Sequence, residues 1–147
     1  MAKSVKPRSR LQSVHYADGL LLAIRKATEE YVDGGPVGVL FSGGLDSTII
    51  AKVASDFGEV TLYTIGMEGS HDLVASKEMA LELALEWRPV VLDHRAIIEN
   101  LVPLSKLLGD KAPLPLSFEM PLFVVAPLSK EKVLLSGQGA DELFGGY

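Results

Sequence analysis

The central stretch of this sequence is VGVLFSGGLDS, from Val37 to Ser47. Its apolar first half is typical of a buried parallel strand, and Ser42, Gly43 and Gly44 then break the strand. Apolar residues return after the break at the spacing of a helix, at Leu45, Ile49, Ile50, Val53, Ala54 and Phe57. A strand, a glycine turn and a helix N-terminus in this order predict an anion site, because free N–H groups and the helix dipole face the turn.

The side chains of this turn suggest which anion is bound. Ser42 and Ser47 can add hydroxyl donors, whereas the carboxylate of Asp46 would repel a phosphate unless a cation lay between them. We therefore interpret Asp46 as a magnesium ligand. No lysine follows the glycines, so the common GxxxxGK[ST] loop is excluded. The pattern instead resembles the SGGxDS loop (PP-loop) of the ATP pyrophosphatases, which holds pyrophosphate; the alternative is an ordinary tight turn between a strand and a helix.

The composition predicts one globular domain spanning residues 1–147. Of the 147 residues, 48% are hydrophobic and 22% charged, which suffices for a buried core. The net charge of −5 makes nucleic acid an unlikely partner, and the lack of cysteine excludes thiol chemistry. No apolar run is long enough for a membrane span, and no signal peptide is evident, so we expect a cytoplasmic protein.

The first half of the chain alternates helical and strand patterns. Residues 1–12 are polar and basic; we expect a solvated tail, with a nucleic-acid arm as the alternative. A helix is predicted over 13–33, with one face formed by Ala17, Leu20, Leu21, Ile24, Ala27 and Tyr31. The elements predicted next are strand 37–41, helix 46–57, strand 60–66 and a helix over 73–86 capped by Asp72.

The second half continues this alternation and completes a parallel sheet. Strand 88–93 is expected at the sheet edge because of Pro89, followed by a helix over 94–109 ended by Gly109. A loop over 110–116, a brief or kinked helix from about Ser117 and a strand over 132–136 follow. Alternating strands and helices predict an α/β fold with a doubly wound parallel sheet. The loops after Phe41, Ile65 and Ser136 should converge at its C-terminal edge, where ligands bind.

A second glycine-rich motif, SGQGADELFGGY, occupies residues 136–147. Its strand can lie beside the first strand, so that Asp141 could face Asp46 across one magnesium ion. Taken alone, such a terminus could equally be a flexible tail. Its pairing with residues 42–47 favours a site.

Both motifs together resemble the synthetase domain of the asparagine synthetase family. SGGLDS at 42–47 and SGQGADELFGGY at 136–147 are similar to its two signatures, and IGMEGSHDL at 65–73 is similar to its VGLEGSPDL segment. The resemblance covers residues 35–147. It implies an adenine-nucleotide α-hydrolase-like, Rossmann-like fold with a parallel sheet of about five strands. It also implies ATP and Mg²⁺ as cofactors, and a carboxylate substrate, aspartate in the family, that is activated as an acyl-adenylate and amidated by ammonia.

The resemblance also implies roles for individual residues. Adenine and ribose would lie against Leu40, Ile65, Ser136 and Gly137. Pyrophosphate would be held by Ser42, Gly43, Gly44, Asp46 and Ser47, and the metal by Asp46 and Asp141. The candidate catalytic residues are Asp46, Gln138 and Asp141.

This sequence departs from the family pattern at several points. The family enzyme begins with a catalytic cysteine after Met1, whereas position 2 is Ala here and the glutaminase domain is not found. The family's glutamate in SGEGADE is Gln138, which cannot act as a base at neutral pH. The helical region with a catalytic lysine after GGY, and an arginine usually found before the last strand, are also not found.

Three hypotheses follow. The first is an ATP-dependent ligase that forms AMP and pyrophosphate, with ammonia free or supplied by a glutaminase or other partner subunit. The second is a module that binds ATP or AMP without turnover, or that needs a partner chain to supply missing residues. The third is another chemistry of the PP-loop enzymes, such as tRNA base modification, which the acidic charge and the lack of cysteine disfavour. A homo-oligomer stays open in each case.

Overall fold

Helices and strands alternate along the part of the chain that the structure describes. A computed structural model describes residues 10–109 and 113–144. The elements are α1 Arg10–Val32, β1 Val37–Leu40, α2 Leu45–Ala54, β2 Val60–Gly66, α3 His71–Leu83, β3 Glu86–Val91, α4 His94–Leu108, α5 Pro113–Val125, β4 Val133–Ser136 and α6 Ala140–Phe144. The strands pair in parallel in the order β3-β2-β1-β4. The predicted α/β class with a parallel sheet is confirmed.

The two faces of the sheet carry separate apolar cores. Alternate residues of β1 and β2, among them Val39 and Leu62, pack with Ala51 of α2 and Ala80 of α3. Residues of the opposite face near the C-terminal ends of β2 and β3 pack with Leu104 of α4 and with Leu116, Met120 and Val124 of α5. Helices therefore cover both faces, as the doubly wound prediction requires.

The strand order creates a topological switch point beside β1. The chain runs outward from β1 through β2 to β3, and β4 then returns to pair with the other side of β1. Ligands in such sheets bind where the direction of winding reverses, at the C-terminal strand ends. Pro89 lies in β3 at the sheet edge, as predicted. Because proline has no N–H, it is tolerated at an edge, where no hydrogen bond between two strands is lost.

The predicted number of strands and the predicted loop over 110–116 are wrong in part. The described residues form four strands, matching the four strand patterns in the sequence rather than the five-stranded sheet that the resemblance implied. Helix α5 begins at Pro113, within the predicted loop 110–116, and residues 110–112 lie outside the described residues. The N–H groups of a first helical turn have no intrahelical partner, so Pro113 and Pro115 are tolerated there.

Helix α1 begins at Arg10, three residues before the predicted start, and packs on α2. Its Arg25 pairs with Asp56, and the guanidinium carbon lies 5.2 Å from the centre of the Phe57 ring. Most of its predicted apolar face is nevertheless exposed, including Leu20, Leu21 and Tyr31. The predicted tail falls largely on residues 1–9, outside the described residues, and stays a prediction. No helix of the described ranges has the length and apolarity that a membrane crossing requires.

Candidate functional site

The SGGLDS turn forms a closed loop of hydrogen bonds around Ser47. The buried hydroxyl of Ser47 donates to the carbonyl of Gly44 at 3.2 Å and lies 3.3 Å from the hydroxyl of Ser42. The backbone N–H of Ser42 donates to the same Ser47 oxygen at 3.4 Å, and the N–H of Gly44 donates to the Ser42 hydroxyl at 3.3 Å. These contacts are at the long end of the hydrogen-bond range, so a charged ligand oxygen could replace them at little cost.

Helix α2 presents its N-terminus to this loop. It begins at Leu45 after Gly44, and no side chain caps it. The first N–H groups of a helix have no intrahelical partner, and together with the helix dipole they favour an anion. The uncapped N-terminus of α2 therefore lies where the sequence predicts an anion site.

Gly43 brings the loop against the backbone of α3. Its φ angle is +79°, and an added Cβ would lie 2.7 Å from the backbone N of Ser76 and 2.8 Å from the carbonyl carbon of Ala75. Neither contact could relax by a side-chain rotation, because both atoms belong to a helix backbone. Only glycine fits here, for reasons of both conformation and space.

Gly137 brings the second motif into direct contact with the first. A Cβ at this position would lie 3.0 Å from the Cβ of Asp46 and 3.0 Å from the backbone N of Ser47. The strand that precedes Gly137 is paired with β1, with Ser136 opposite Leu40. The two glycine-rich motifs, distant in sequence, therefore form one surface at the switch point.

A cavity of about 430 Å³ opens at the ends of β1, β2 and β4. Eight of the eleven sequence-predicted site residues line it, namely Leu40, Ser42, Asp46, Ser47, Ile65, Ser136, Gly137 and Gln138. The loops after Phe41, Ile65 and Ser136 thus converge as predicted. Gly43 and Gly44 support the cavity wall through the contacts described above without lining it.

Asp141 lies beside this cavity rather than in it. It is in the first turn of α6, exposed, and lines an adjoining cavity of about 230 Å³ together with Gly137, Gln138 and Glu142. Gly137 and Gln138 line both cavities. Within residues 10–109 and 113–144, no three carboxylate or histidine side chains form a ready metal cluster.

The structure adds cavity residues that the sequence did not reveal. Asp72 was predicted as the cap of the third helix, but Ser70 is the N-cap, and Asp72 lies in the first turn and lines the cavity. Ser117 and Phe118 of α5 also line it; a helix was predicted from about Ser117, but no motif marked these two residues as part of a site. The IGMEGSHDL segment was the one signal that could have pointed to Asp72.

A polar cluster surrounds Tyr63 of β2, which also lines the cavity. Its phenol donates to Glu131 at 2.8 Å and accepts from Arg88 at 3.2 Å. Burial raises the pKa of the Tyr63 phenol, and the hydrogen bond to Glu131 raises it further. Burial opposes ionisation of Glu131, but hydrogen bonds from Thr61, Tyr63 and backbone amides outweigh it and lower the pKa of this carboxyl. The cluster therefore carries a carboxylate and a neutral phenol at neutral pH.

Most of the chain matches a known protein family. Residues 19–147 match the family described as asparagine synthase. A protein named putative asparagine synthetase [glutamine-hydrolyzing] 1 from Methanocaldococcus jannaschii is 36% identical over 147 residues, covering 97% of this chain and 27% of that protein. Asparagine synthetase [glutamine-hydrolyzing] 1 of Arabidopsis thaliana is 36% identical, covering 86% and 25% respectively. The chain thus spans about a quarter of the length of these relatives.

Solved structures share the fold at lower sequence identity. An NH3-dependent NAD synthetase from Campylobacter jejuni, in complex with nitrate, superposes with a TM-score of 0.54 at 18% identity, covering 88% of this chain and 60% of that one. A predicted subunit of tRNA methyltransferase from Methanocaldococcus jannaschii gives 0.50 at 25% identity, covering 70% and 52%. These likenesses support the predicted adenine-nucleotide α-hydrolase-like fold.

Proposed function

Because the chain belongs to the asparagine synthase family, we propose that it is the ATP-handling domain of an amide-forming ligase. In this reaction ATP transfers AMP to a carboxylate and releases pyrophosphate. Ammonia then displaces AMP from the acyl-adenylate to give an amide. Aspartate is the proposed acid by resemblance, and ammonia would come from solution or from a glutaminase region or subunit.

The contact of Gly137 with Asp46 and Ser47 carries this proposal. It unites the two family signatures at the wall of one cavity, at the switch point of the sheet. The cavity is within the usual size range of small-molecule sites. A tight turn with only a structural role would not require the second motif to pack against it.

The two ends of the cavity suit the two ends of ATP. Ser42, Ser47 and the N-terminus of α2 offer hydroxyl and N–H donors to the phosphates, while Leu40 and Ile65 offer apolar surface to adenine. Carboxylate is a poor electrophile, and adenylation gives it a better leaving group. Preformed N–H dipoles stabilise the charge that develops on departing pyrophosphate, because they need no reorganisation during the reaction.

The donor set also fits a magnesium ion. Mg²⁺ is usually held by one or two carboxylates together with phosphate oxygens and water. Asp46 offers a carboxylate inside the cavity, and Asp141 offers a second from the adjoining one. When bound, the ion would neutralise charge on the phosphates, and Asp46 and Asp141 would hold it.

Asp46→Asn is expected to weaken ATP binding at least about tenfold in the presence of Mg²⁺, because the variant loses a metal-binding carboxylate. Isothermal titration calorimetry with and without Mg²⁺ measures the effect. Asp72→Asn is the matched comparison, since Asp72 lines the same cavity without a proposed metal role and its loss should not reduce affinity. Equal affinities of the Asp46→Asn variant and the parent for ATP with Mg²⁺ would rule out the metal role.

A second candidate function is a nucleotide-binding module without its own turnover. Gln138 supports it, since this amide lines the cavity where the family has a carboxylate. The short span relative to full-length relatives supports it as well. Pyrophosphate release from ATP, measured with ammonia and a panel of small acids, separates the two functions: the ligase releases pyrophosphate only with its acid, whereas the module binds ATP and releases none.

A further inference from the structure

Two linked hydrogen bonds, one half-buried and one buried, connect the edge strand of the sheet to the start of the SGGLDS loop. The indole Nε1 of Trp87, on β3, donates to the hydroxyl of Thr64 at 3.0 Å. The hydroxyl of Thr64, on β2, donates to the backbone carbonyl of Phe41 at 2.6 Å. Thr64 is 2% exposed, so solvent does not compete for its hydroxyl. This series of hydrogen bonds ends at Phe41, the residue before Ser42.

The chemistry of the groups determines which one donates and which one accepts in each of these hydrogen bonds. An indole N–H can only donate, so the Thr64 oxygen is the acceptor of that bond. Its single proton is then directed to the carbonyl oxygen of Phe41. Linked hydrogen bonds in a low-dielectric interior polarise one another and strengthen. Trp87 therefore holds the Thr64 hydroxyl in the one orientation that anchors Phe41.

Anchoring this carbonyl also sets the direction of the next N–H group. The carbonyl of Phe41 and the N–H of Ser42 belong to one planar trans peptide, in which they point in opposite directions. The carbonyl is tied to β2 by Thr64, and the N–H of Phe41 is tied to the carbonyl of Tyr63 at 2.8 Å. The N–H of Ser42 consequently points into the loop, where it meets the Ser47 hydroxyl at 3.4 Å.

We propose that Thr64, oriented by Trp87, is a positioning residue that directs the Ser42 N–H at a pyrophosphate oxygen. This inference rests on the proposed function and deepens it. The 3.4 Å contact to Ser47 is long, and an anionic oxygen is a stronger acceptor than a hydroxyl. The loop thus presents a preset donor whose orientation is maintained from the edge strand β3 through β2.

Two variants of Thr64 in the full chain test the proposal. Thr64→Val keeps the branched shape and removes the hydroxyl, whereas Thr64→Ser keeps the hydroxyl and removes the methyl group. We expect Thr64→Val to weaken binding of inorganic pyrophosphate and ATP by roughly tenfold, the usual effect of losing a hydrogen bond to a charged group. Thr64→Ser should stay within about threefold of the parent. Adenosine, which has no phosphate, should bind all three proteins alike.

A measurement without ligand separates this proposal from the proposed function. In ¹⁵N nuclear magnetic resonance spectra of the free chain, the Ser42 amide signal should shift in Thr64→Val and hold its position in Thr64→Ser. If the parent binds neither pyrophosphate nor ATP, the proposed function fails, while the Ser42 signal still tests the positioning role. An unshifted Ser42 signal in Thr64→Val, or equal losses of affinity for pyrophosphate and adenosine, would overturn the proposal and leave Thr64 a purely structural residue.

Trp87→Phe provides a test that does not touch the core of β2. It keeps an aromatic ring at the half-buried edge position and removes the indole donor. The Thr64 hydroxyl can then rotate, so the Ser42 signal should broaden or shift and pyrophosphate affinity should fall by about threefold. This variant decides the question if Thr64→Val does not fold. An unchanged Ser42 signal with parental affinity would overturn the proposal that Thr64, oriented by Trp87, positions this N–H.

Discussion

Gly43→Ala is expected to abolish measurable ATP binding, with a loss of affinity above about a hundredfold. The new Cβ would lie within 2.8 Å of backbone atoms of Ala75 and Ser76, so the loop must move away from α3 and its N–H groups must turn. The left-handed backbone conformation raises the free energy of the folded variant by about 1–2 kcal/mol, and crowding of the new Cβ raises it by about 1–3 kcal/mol. The free energy of unfolding should therefore fall by about 2–5 kcal/mol.

Gly69→Ala is the matched control for this variant. Gly69 has a similar φ of +72°, but an added Cβ there would have no atom within 4 Å. It should lose only the strain contribution, about 1–2 kcal/mol, and keep parental ATP affinity. Thermal unfolding followed by circular dichroism, and calorimetry at a temperature where both variants are folded, measure the two effects. Parental affinity in Gly43→Ala would show that the nucleotide does not use this loop.

The second large effect is expected at Gln138, which lines the cavity. Gln138→Glu should leave ATP affinity within a few-fold, because the backbone of the loop is unchanged. The new carboxylate can act as a base or a fixed charge at the reacting centre. General base catalysis typically contributes about 10²- to 10⁴-fold, and we expect a gain of this order in acid-dependent pyrophosphate release.

Single-turnover assays of the parent and Gln138→Glu measure this gain, with ammonia and a panel of small acids. Gln138→Met is the control of similar length without charge, and it should show no gain. Substantial turnover by the parent without improvement in Gln138→Glu would show that this chain has its own chemistry. The family's role for that position would then not apply here.

Local patterns in the sequence were sufficient to predict most of the sheet. The apolar runs that became β1, β2 and β4 lie between glycine or polar turns, and Pro89 indicated an edge strand correctly. The meeting of residues 42–47 with Gly137 was predictable because parallel strands carry all their C-terminal loops to one edge. Topology alone therefore determines much of the candidate site.

The features that sequence reasoning missed depend on context. Pro113 and Pro115 favour a loop only if no helix begins there, because prolines are tolerated in a first turn. The apolar spacing of α1 indicates a helix but not how much of its face α2 covers, and Tyr31 is 65% exposed. The contact between Trp87 and Thr64 joins neighbouring strands on one face of the sheet, and its hydrogen bond requires rotamers that no sequence pattern specifies.

The pairing of β1 with β4 has a consequence for how this protein folds. Residues 41–132 lie between these two neighbouring strands, so the contact of Gly137 with Asp46 closes a very long loop. Contacts of this kind slow folding, because chain entropy is lost before they form. A nascent or truncated chain that ends before β4 can carry a complete SGGLDS turn and still lack a cavity. A ligand that needs both motifs therefore stabilises only the fully folded chain, and its concentration should raise the unfolding temperature.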